Sequence, residues 1–299
     1  MTDPTPTKRH QPLGIGAGRV LAGLLGRGIT ESRTPWMHEQ EADAQGLRMV
    51  YSLLDFSDRG WSDGDLAQVL DAVQRVGFAG VNVTFPFKQA VLPLLDELSP
   101  GAAAIGAVNT IAFVGGRRIG HNTDVSGFAG GFAEGLPGVA MDRVLQLGCG
   151  GAGSATAHAL LSTLGAGQLA LFDTDAARVA TLAEQLTAIY GEGRVTVAGD
   201  AAEAATQADG IVNATPIGMA KFPGLPLPVE ALRPGHWLAE IIYFPLETEL
   251  LKAARALGCR TVSGQGMAVG QAADAFSIFT GQAPDRARMA ASFAAFAQQ

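Results

Sequence analysis

The stretch Val144-Leu145-Gln146-Leu147-Gly148-Cys149-Gly150-Gly151-Ala152-Gly153-Ser154 decides the fold, read together with Asp173 about 20 residues beyond the last glycine of the turn. Val144 to Leu147 read as a strand, Gly148 to Gly153 fit G-x-G-x-x-G, and a helical pattern opens at Ser154. In that setting each glycine has a task. Gly148 permits the tight turn, Gly150 lets backbone approach a pyrophosphate, and Gly153 lets helix and strand pack closely. Gly151 and Ala152 complete the turn at the helix N-terminus, whose amides face the phosphates. Asp173 ends the next strand, where a carboxylate accepts hydrogen bonds from the adenosine ribose and repels a 2′-phosphate. NAD is the expected cofactor, and Asp175 adds a second negative charge. Arg178 in the same region could accommodate a phosphate, which keeps NADP as the alternative.

From Val144 to Phe172 the chain has no formally charged residue, as a membrane span would, but six glycines split it into strand, turn and helix. No membrane segment is expected. Further strands follow at Leu169–Phe172, Val195–Val197, Gly210–Asn213 and Trp237–Ile242, separated by helical patterns, which makes a complete dinucleotide-binding layout. Beyond it, apolar helices at Gly270–Phe279 and Arg286–Phe296 are expected to pack back on the N-terminal domain. Upstream, strands at Arg19–Leu25, Arg48–Leu54 and Gly80–Thr84 alternate with helices after Thr34-Pro35, from Asp65 to Val76 and from Phe87 to Leu98. Thr34 reads as a helix cap. Ala107–Ile111 and Arg118–Asn122 flank Gly115-Gly116 as a hairpin, and Met1 to about Gln11 read as a loose tail. The expected architecture is α/β: an N-terminal α/β substrate domain and a C-terminal Rossmann-type doubly wound parallel sheet, with a cleft between them. Residues 12–125, completed by helices within 265–299, form the substrate domain; residues 126–264 form the dinucleotide domain.

Composition narrows the partners. With 21 Lys and Arg against 28 Asp and Glu, the net charge of −7 repels a polyanion, so no nucleic acid is expected. Hydrophobic residues at 47% with 16% charged mark a folded globular chain. The 39 glycines lack a Gly-X-Y period and point to tight turns and to backbone approaching ligands. Two cysteines, Cys149 and Cys259, cannot build a disulfide framework, which suits a cytoplasmic protein. The five histidines show no zinc-like spacing, and no metal is expected. The apolar C-terminal helices could cover the core or a second subunit, leaving monomer and homodimer both open.

Seven short motifs carry the substrate reading. They are Ser32-Arg33-Thr34-Pro35, Asn82-Val83-Thr84-Phe85-Pro86-Phe87-Lys88, Gly106-Ala107-Val108-Asn109-Thr110 and Gly120-His121-Asn122-Thr123-Asp124, then Asn213-Ala214-Thr215-Pro216-Ile217-Gly218-Met219, Tyr243-Phe244-Pro245 and Gly266-Met267 through Gln271. In this order, over nearly the whole chain, they resemble the shikimate dehydrogenase family. Asp173-Thr174-Asp175 stands where biosynthetic members carry an Asn-Arg-Thr loop for the NADP phosphate, so the chain is similar to the NAD-dependent quinate/shikimate branch. Ser263, Phe85 and Phe87 depart from the usual pattern.

The resemblance implies a cyclic polyol carboxylate held by Ser32, Thr34, Asn82, Thr84, Lys88, Asn109, Asp124, Tyr243 and Gln271. Short hydroxyl and amide side chains of this kind suit a hydroxyl-rich acid. It also adds Asn213, Thr215, Met219, Gly264 and Met267 to the cofactor side. Lys88 and Asp124 are the implied catalytic pair. A lysine beside a carboxylate favours its charged form, so two roles stay open: Lys88 takes the hydroxyl proton, or it stabilises a developing alkoxide while Asp124 orients the alcohol. The expected activity is NAD-linked interconversion of quinate or shikimate and the 3-dehydro ketones. The alternatives are a biosynthetic NADP-dependent shikimate dehydrogenase and a non-catalytic metabolite-sensing module.

Overall fold

The computed structural model describes residues 18–295; the tail reading at Met1 to Gln11 and the outer ends of the substrate domain lie outside them. The chain folds as two compact units, one made of residues 18–122 with 275–295 and the other of Thr123–Asp274.

The first unit begins with β1 (Arg19–Gly26), α1 (Thr34–Ala44), β2 (Arg48–Asp55), α2 (Leu66–Arg75) and β3 (Gly80–Val83), the alternation expected from periodicity. The helix expected over Phe87–Leu98 is not formed. Instead α3 covers Phe87–Ala90, a 3₁₀ turn covers Leu92–Leu94, and β4 is Glu97–Leu98. Pro93 is the cause, since its missing N–H and its ring forbid the continuing α-helical ladder. Next come α4 (Pro100–Ile105), capped by Ser99 Oγ accepting from Ala102 N, then β5 (Thr110–Val114) and β6 (Arg117–His121). Gly115 and Gly116, both with positive φ, turn the hairpin. Sheet order is β2-β1-β3-β5-β6-β4, with β1 parallel to β2 and β3, and β5 antiparallel to β3 and β6. One face buries Phe56, Leu70, Phe87 and Phe113.

In the second unit α5 (Asp124–Gly135) precedes β7 (Arg143–Leu147), α6 (Gly151–Ser162), β8 (Gln168–Phe172), α7 (Ala176–Tyr190), β9 (Val195–Val197), α8 (Ala201–Gln207) and β10 (Gly210–Asn213). β11 (Trp237–Glu240), α9 (Glu249–Ala256) and β12 (Arg260–Val262) complete it. The sheet, ordered β12-β11-β10-β7-β8-β9, is parallel throughout. Strand order reverses between β7 and β10, the position where doubly wound sheets bind ligands. The uncharged run Val144 to Phe172 is β7, α6 and β8, buried among apolar neighbours. Among the described residues no helix is long and apolar enough to cross a membrane.

The division between units falls within α10 (Gln265–Thr280). Its later residues Phe276 and Phe279 join Val20, Ala22 and Tyr51 in a core of the first unit, and α11 (Arg286–Ala295) is tied to α1 there. The tie is Glu41, fully buried, which accepts from Arg288 Nε at 2.6 Å, Arg288 Nη2 at 2.9 Å and Asp285 N at 2.9 Å. Thr34 is not the cap of α1 as expected. Arg33 holds the cap position, and Ser32 Oγ accepts from Thr34 N.

Candidate active site

In the first unit Leu24 pairs with Asn82 and Asn82 with Thr110, so the C-terminal ends of β1 and β3 lie beside the start of β5. Asn82 lies on β3 within this register, Thr84 and Lys88 follow β3, Asn109 immediately precedes β5, and Ser32 and Thr34 follow β1 at the start of α1. Ser32 Oγ donates to Thr34 Oγ1 at 3.1 Å. Asp55 shapes the loop that leads to them, accepting from Gly28 N at 2.9 Å and Ile29 N at 2.7 Å. Burial opposes the Asp55 charge, but the amides of Gly28, Ile29, Ser57 and Asp58 outweigh it and hold the carboxyl below its usual range.

Lys88, half-buried, lies in the single turn of α3, and its carbonyl accepts from Val108 N at 2.8 Å, which ties it to the segment bearing Asn109. Phe87 anchors that turn in the core, its ring 4.5 Å from that of Phe56, while Phe85 is 75% exposed. The two departures flanking Pro86 therefore divide between core and solvent. Asn82, Asn109 and Thr110 are buried and hydrogen-bonded to one another, and the Tyr51 hydroxyl donates to Asn82 Oδ1. Asp55, Tyr51 and Thr110 are absent from the site read in the sequence. The available signal was polar residues at inward positions of strands, where each buried group needs a partner.

In the second unit the glycine turn follows β7. Gly148 has φ +95°, and a Cβ on it would come within 2.8 Å of Ala214 in the loop after β10. A Cβ on Gly153 would collide with the Gly148 carbonyl oxygen. These two glycines are required by packing of the turn itself. Gly150 differs: a Cβ there meets no described atom within 4 Å, leaving open space in front of the α6 N-terminus. That space, with the adjacent amides, fits a pyrophosphate. Helix α6 starts at Gly151, three residues before the expected opening, so Gly151, Ala152 and Gly153 form its first turn. Gln146, fully buried, donates from Nε2 to the carbonyls of Gly148 at 3.0 Å and Gly153 at 2.8 Å. It fixes the turn from behind and was not singled out in the sequence.

Asp173 sits at the end of β8. Its Oδ2 accepts from Cys149 N at 2.8 Å and its Oδ1 from Asp175 N at 3.0 Å. Burial opposes its charge, but those amides and the Arg178 guanidinium outweigh it, so the carboxyl is held below its usual range. Arg178 lies 3.5 Å from Asp173 Oδ2 and 3.4 Å from Asp175 Oδ2. Burial, reinforced by the Asp173 charge, pushes the Cys149 thiol up to about 12, so the thiol form is favoured near neutrality.

Asn213 is fully buried. Its Nδ2 donates to Glu240 Oε1 at 2.9 Å and Ile217 O at 3.1 Å, and its Oδ1 accepts from Thr215 N and Oγ1. It shapes the loop bearing Thr215 and the partly exposed Met219. Glu240 also accepts from Thr248 Oγ1 at 2.7 Å, and burial raises its pKa. Gly264 lies where a Cβ would collide with Ile241, beside the loop carrying the exposed Tyr243. Met267 belongs to the core of this unit. Asp124, buried, opens α5, and Gln271 lies on α10 next to it: Thr123 Oγ1 donates to Gln271 O at 3.1 Å. The helices come this close because α5 offers Gly127 and Gly131; a Cβ on either would lie 2.7–2.8 Å from α10 backbone. Among the described residues no cluster of His, Cys, Asp and Glu could hold a metal ion.

The profile of the shikimate dehydrogenase substrate binding domain matches residues 24–111, and that of the shikimate 5'-dehydrogenase C-terminal domain matches residues 264–292. The chain is 53% identical to a shikimate dehydrogenase (NADP(+)) of Streptomyces avermitilis, over 93% of this chain and 96% of that one. It is 50% identical to a quinate/shikimate dehydrogenase (NAD(+)) of Corynebacterium efficiens, over 92% of this chain and 97% of the other. Quinate dehydrogenase from Corynebacterium glutamicum, solved in complex with NAD, superimposes with a TM-score of 0.87 at 47% identity, covering 93% of this chain and 99% of that one. Identity of this level over nine-tenths of the chain, together with the parallel sheet and its glycine turn, establishes that the protein belongs to the shikimate dehydrogenase family.

Proposed function

We propose that this chain interconverts quinate or shikimate and the corresponding 3-dehydro ketones, with NAD as the nicotinamide cofactor. The observation that carries the cofactor choice is the group at the end of β8: two carboxylates, Asp173 and Asp175, flank one guanidinium, Arg178. Local charge is net negative, and the arginine already has carboxylate partners. A 2′-phosphate entering there meets repulsion, whereas ribose hydroxyls meet the acceptor oxygens of Asp173. NAD would be held by the turn Gly148 to Gly153, by Asp173 and by the loop Thr215 to Met219, and it supplies the hydride acceptor when bound.

The chain's own groups handle the substrate. Ser32 and Thr34 bind the carboxylate; Asn82, Thr84, Asn109, Tyr243 and Gln271 pair with ring hydroxyls. Lys88 either receives the hydroxyl proton or remains cationic and stabilises the alkoxide, and Asp124 orients the alcohol. The partner is thus a small hydroxy acid. Both described cysteines are free and buried, in keeping with a cytoplasmic site of action. The second reading, NADP-linked turnover of shikimate, is favoured by the half-exposed guanidinium of Arg178. Measuring cofactor reduction with both acids and both nicotinamides tests the proposal. Higher kcat/KM with NAD supports it; higher kcat/KM with NADP selects the second reading, and no turnover of either acid defeats both.

A further inference from the structure

The orientations of the Asn82 and Asn109 amides follow from their buried neighbours. Asn82 has Nδ2 3.3 Å from the carbonyl oxygen of Asn109 and 2.9 Å from Thr110 Oγ1. A backbone carbonyl only accepts, so this side of Asn82 has to be its NH₂ group. The opposite atom, Oδ1, then faces the Tyr51 hydroxyl at 2.6 Å, and the phenol donates. Thr110 Oγ1, having accepted from Asn82, turns its one hydrogen to Asn109 Oδ1 at 2.9 Å. Were Asn109 reversed, both amides would donate into the fully buried Thr110 hydroxyl and its hydrogen would have no acceptor among them. Every donor in the series therefore points one way, from Tyr51 through Asn82 and Thr110 to Asn109.

We propose that Tyr51 and Thr110 are positioning residues for substrate: they lock the Asn109 amide so that its Nδ2 hydrogens, and not its oxygen, meet an oxygen of the cyclic acid. The assignment rests on the activity proposed above. An amide donor serves alcohol and ketone alike, because both oxygens accept, so the lock acts on affinity more than on the hydride step. Burial keeps the Tyr51 hydroxyl protonated well beyond its ordinary range, and its ring is held by stacking on His38 at 4.6 Å. The donor at the head of the series is thus constant with pH.

The test compares Thr110→Val, which keeps the shape and deletes the hydroxyl, with Thr110→Ser, which keeps the hydroxyl. Thr110→Val should raise KM for the acid about tenfold or more, as loss of a buried orienting hydrogen bond does, with KM for NAD and kcat changed by less than about threefold. Thr110→Ser should recover most of the lost affinity, and Tyr51→Phe should shift KM in the same direction as Thr110→Val. If the valine variant does not fold, Tyr51→Phe carries the comparison. An unchanged KM for the acid in both Thr110→Val and Tyr51→Phe overturns the assignment. So does a serine variant as impaired as the valine one, or a parallel loss of acid affinity, NAD affinity and melting temperature. Wild-type protein that turns over neither acid overturns the activity itself, and this assignment with it.

Discussion

His38 makes acid stability a sharp probe of the first unit. It is fully buried, with its ring stacked 4.6 Å from Tyr51 and 6.1 Å from Phe276, and neither ring nitrogen has a hydrogen-bond partner among the described residues. Burial lowers its pKa from 6.5 to about 3. Between those two values the unfolded chain binds a proton that the native state refuses, so native stability is lost as pH falls below about 6.5 and is unaffected above it. Going from about pH 7 to about pH 5, the histidine contributes a loss of about 2 kcal/mol, obtained from RT times the logarithm of the ratio of the two binding polynomials. His38→Phe removes the titration and suits the aromatic surroundings. His121 and His236, which burial also holds below the ordinary range, titrate in both proteins and cancel in the comparison. Urea unfolding of wild type and His38→Phe at the two pH values measures the difference directly. The wild type should lose about 2 kcal/mol more than the variant. Equal losses would show that His38 is protonated or solvated in the native state and would refute the buried, unpartnered reading.

Three further outcomes follow from the described contacts. Asp173→Ala removes the carboxylate that discriminates against a 2′-phosphate, so the ratio of kcat/KM for NAD over NADP should fall about tenfold or more; unchanged Michaelis constants for both cofactors would remove Asp173 from the site. Lys88→Ala should lower kcat by about 10²–10⁴-fold while KM for NAD stays within about twofold, and normal turnover would exclude its catalytic role. Glu41→Ala deletes a buried carboxylate that receives two bonds from Arg288, one from Gln45 and one from Asp285 N. It should cost about 2–3 kcal/mol in urea unfolding; a change below about 0.5 kcal/mol would show that α11 is held to α1 by apolar packing alone.

The glycine turn and its sheet were legible because one local constraint fixes them: a strand, a positive-φ glycine and a helix N-terminus must follow in immediate succession. Helix α5 was not, since Gly127, Gly130, Gly131 and Gly135 depress helix propensity along it, and they are tolerated because Gly127 and Gly131 let α10 approach backbone to backbone. Part of the glycine excess thus serves helix packing and not ligand approach. The helix read past Pro93 shows the reverse error, an apolar pattern followed beyond a residue that cannot continue the ladder. The motifs are silent on Tyr51, Asp55 and Gln146. Tyr51 and Asp55 are joined by hydrogen bonds to residues distant in sequence, which the strand register brings near, whereas Gln146 braces the turn beside it through Gly148 and Gly153. The motif is equally silent on the pairing of the Asn213 amide with Glu240, Ile217 and Thr215.

The claim that a ring carbinol gives its hydrogen to the nicotinamide is tested most directly by isotope transfer. Quinate or shikimate carrying deuterium at C3 is incubated with the enzyme and NAD, and the reduced cofactor is weighed by mass spectrometry. Reduced nicotinamide heavier by one mass unit, formed together with the 3-dehydro acid, is the expected result. Reduced cofactor without the label, or consumption of the acid without cofactor reduction, would contradict the account.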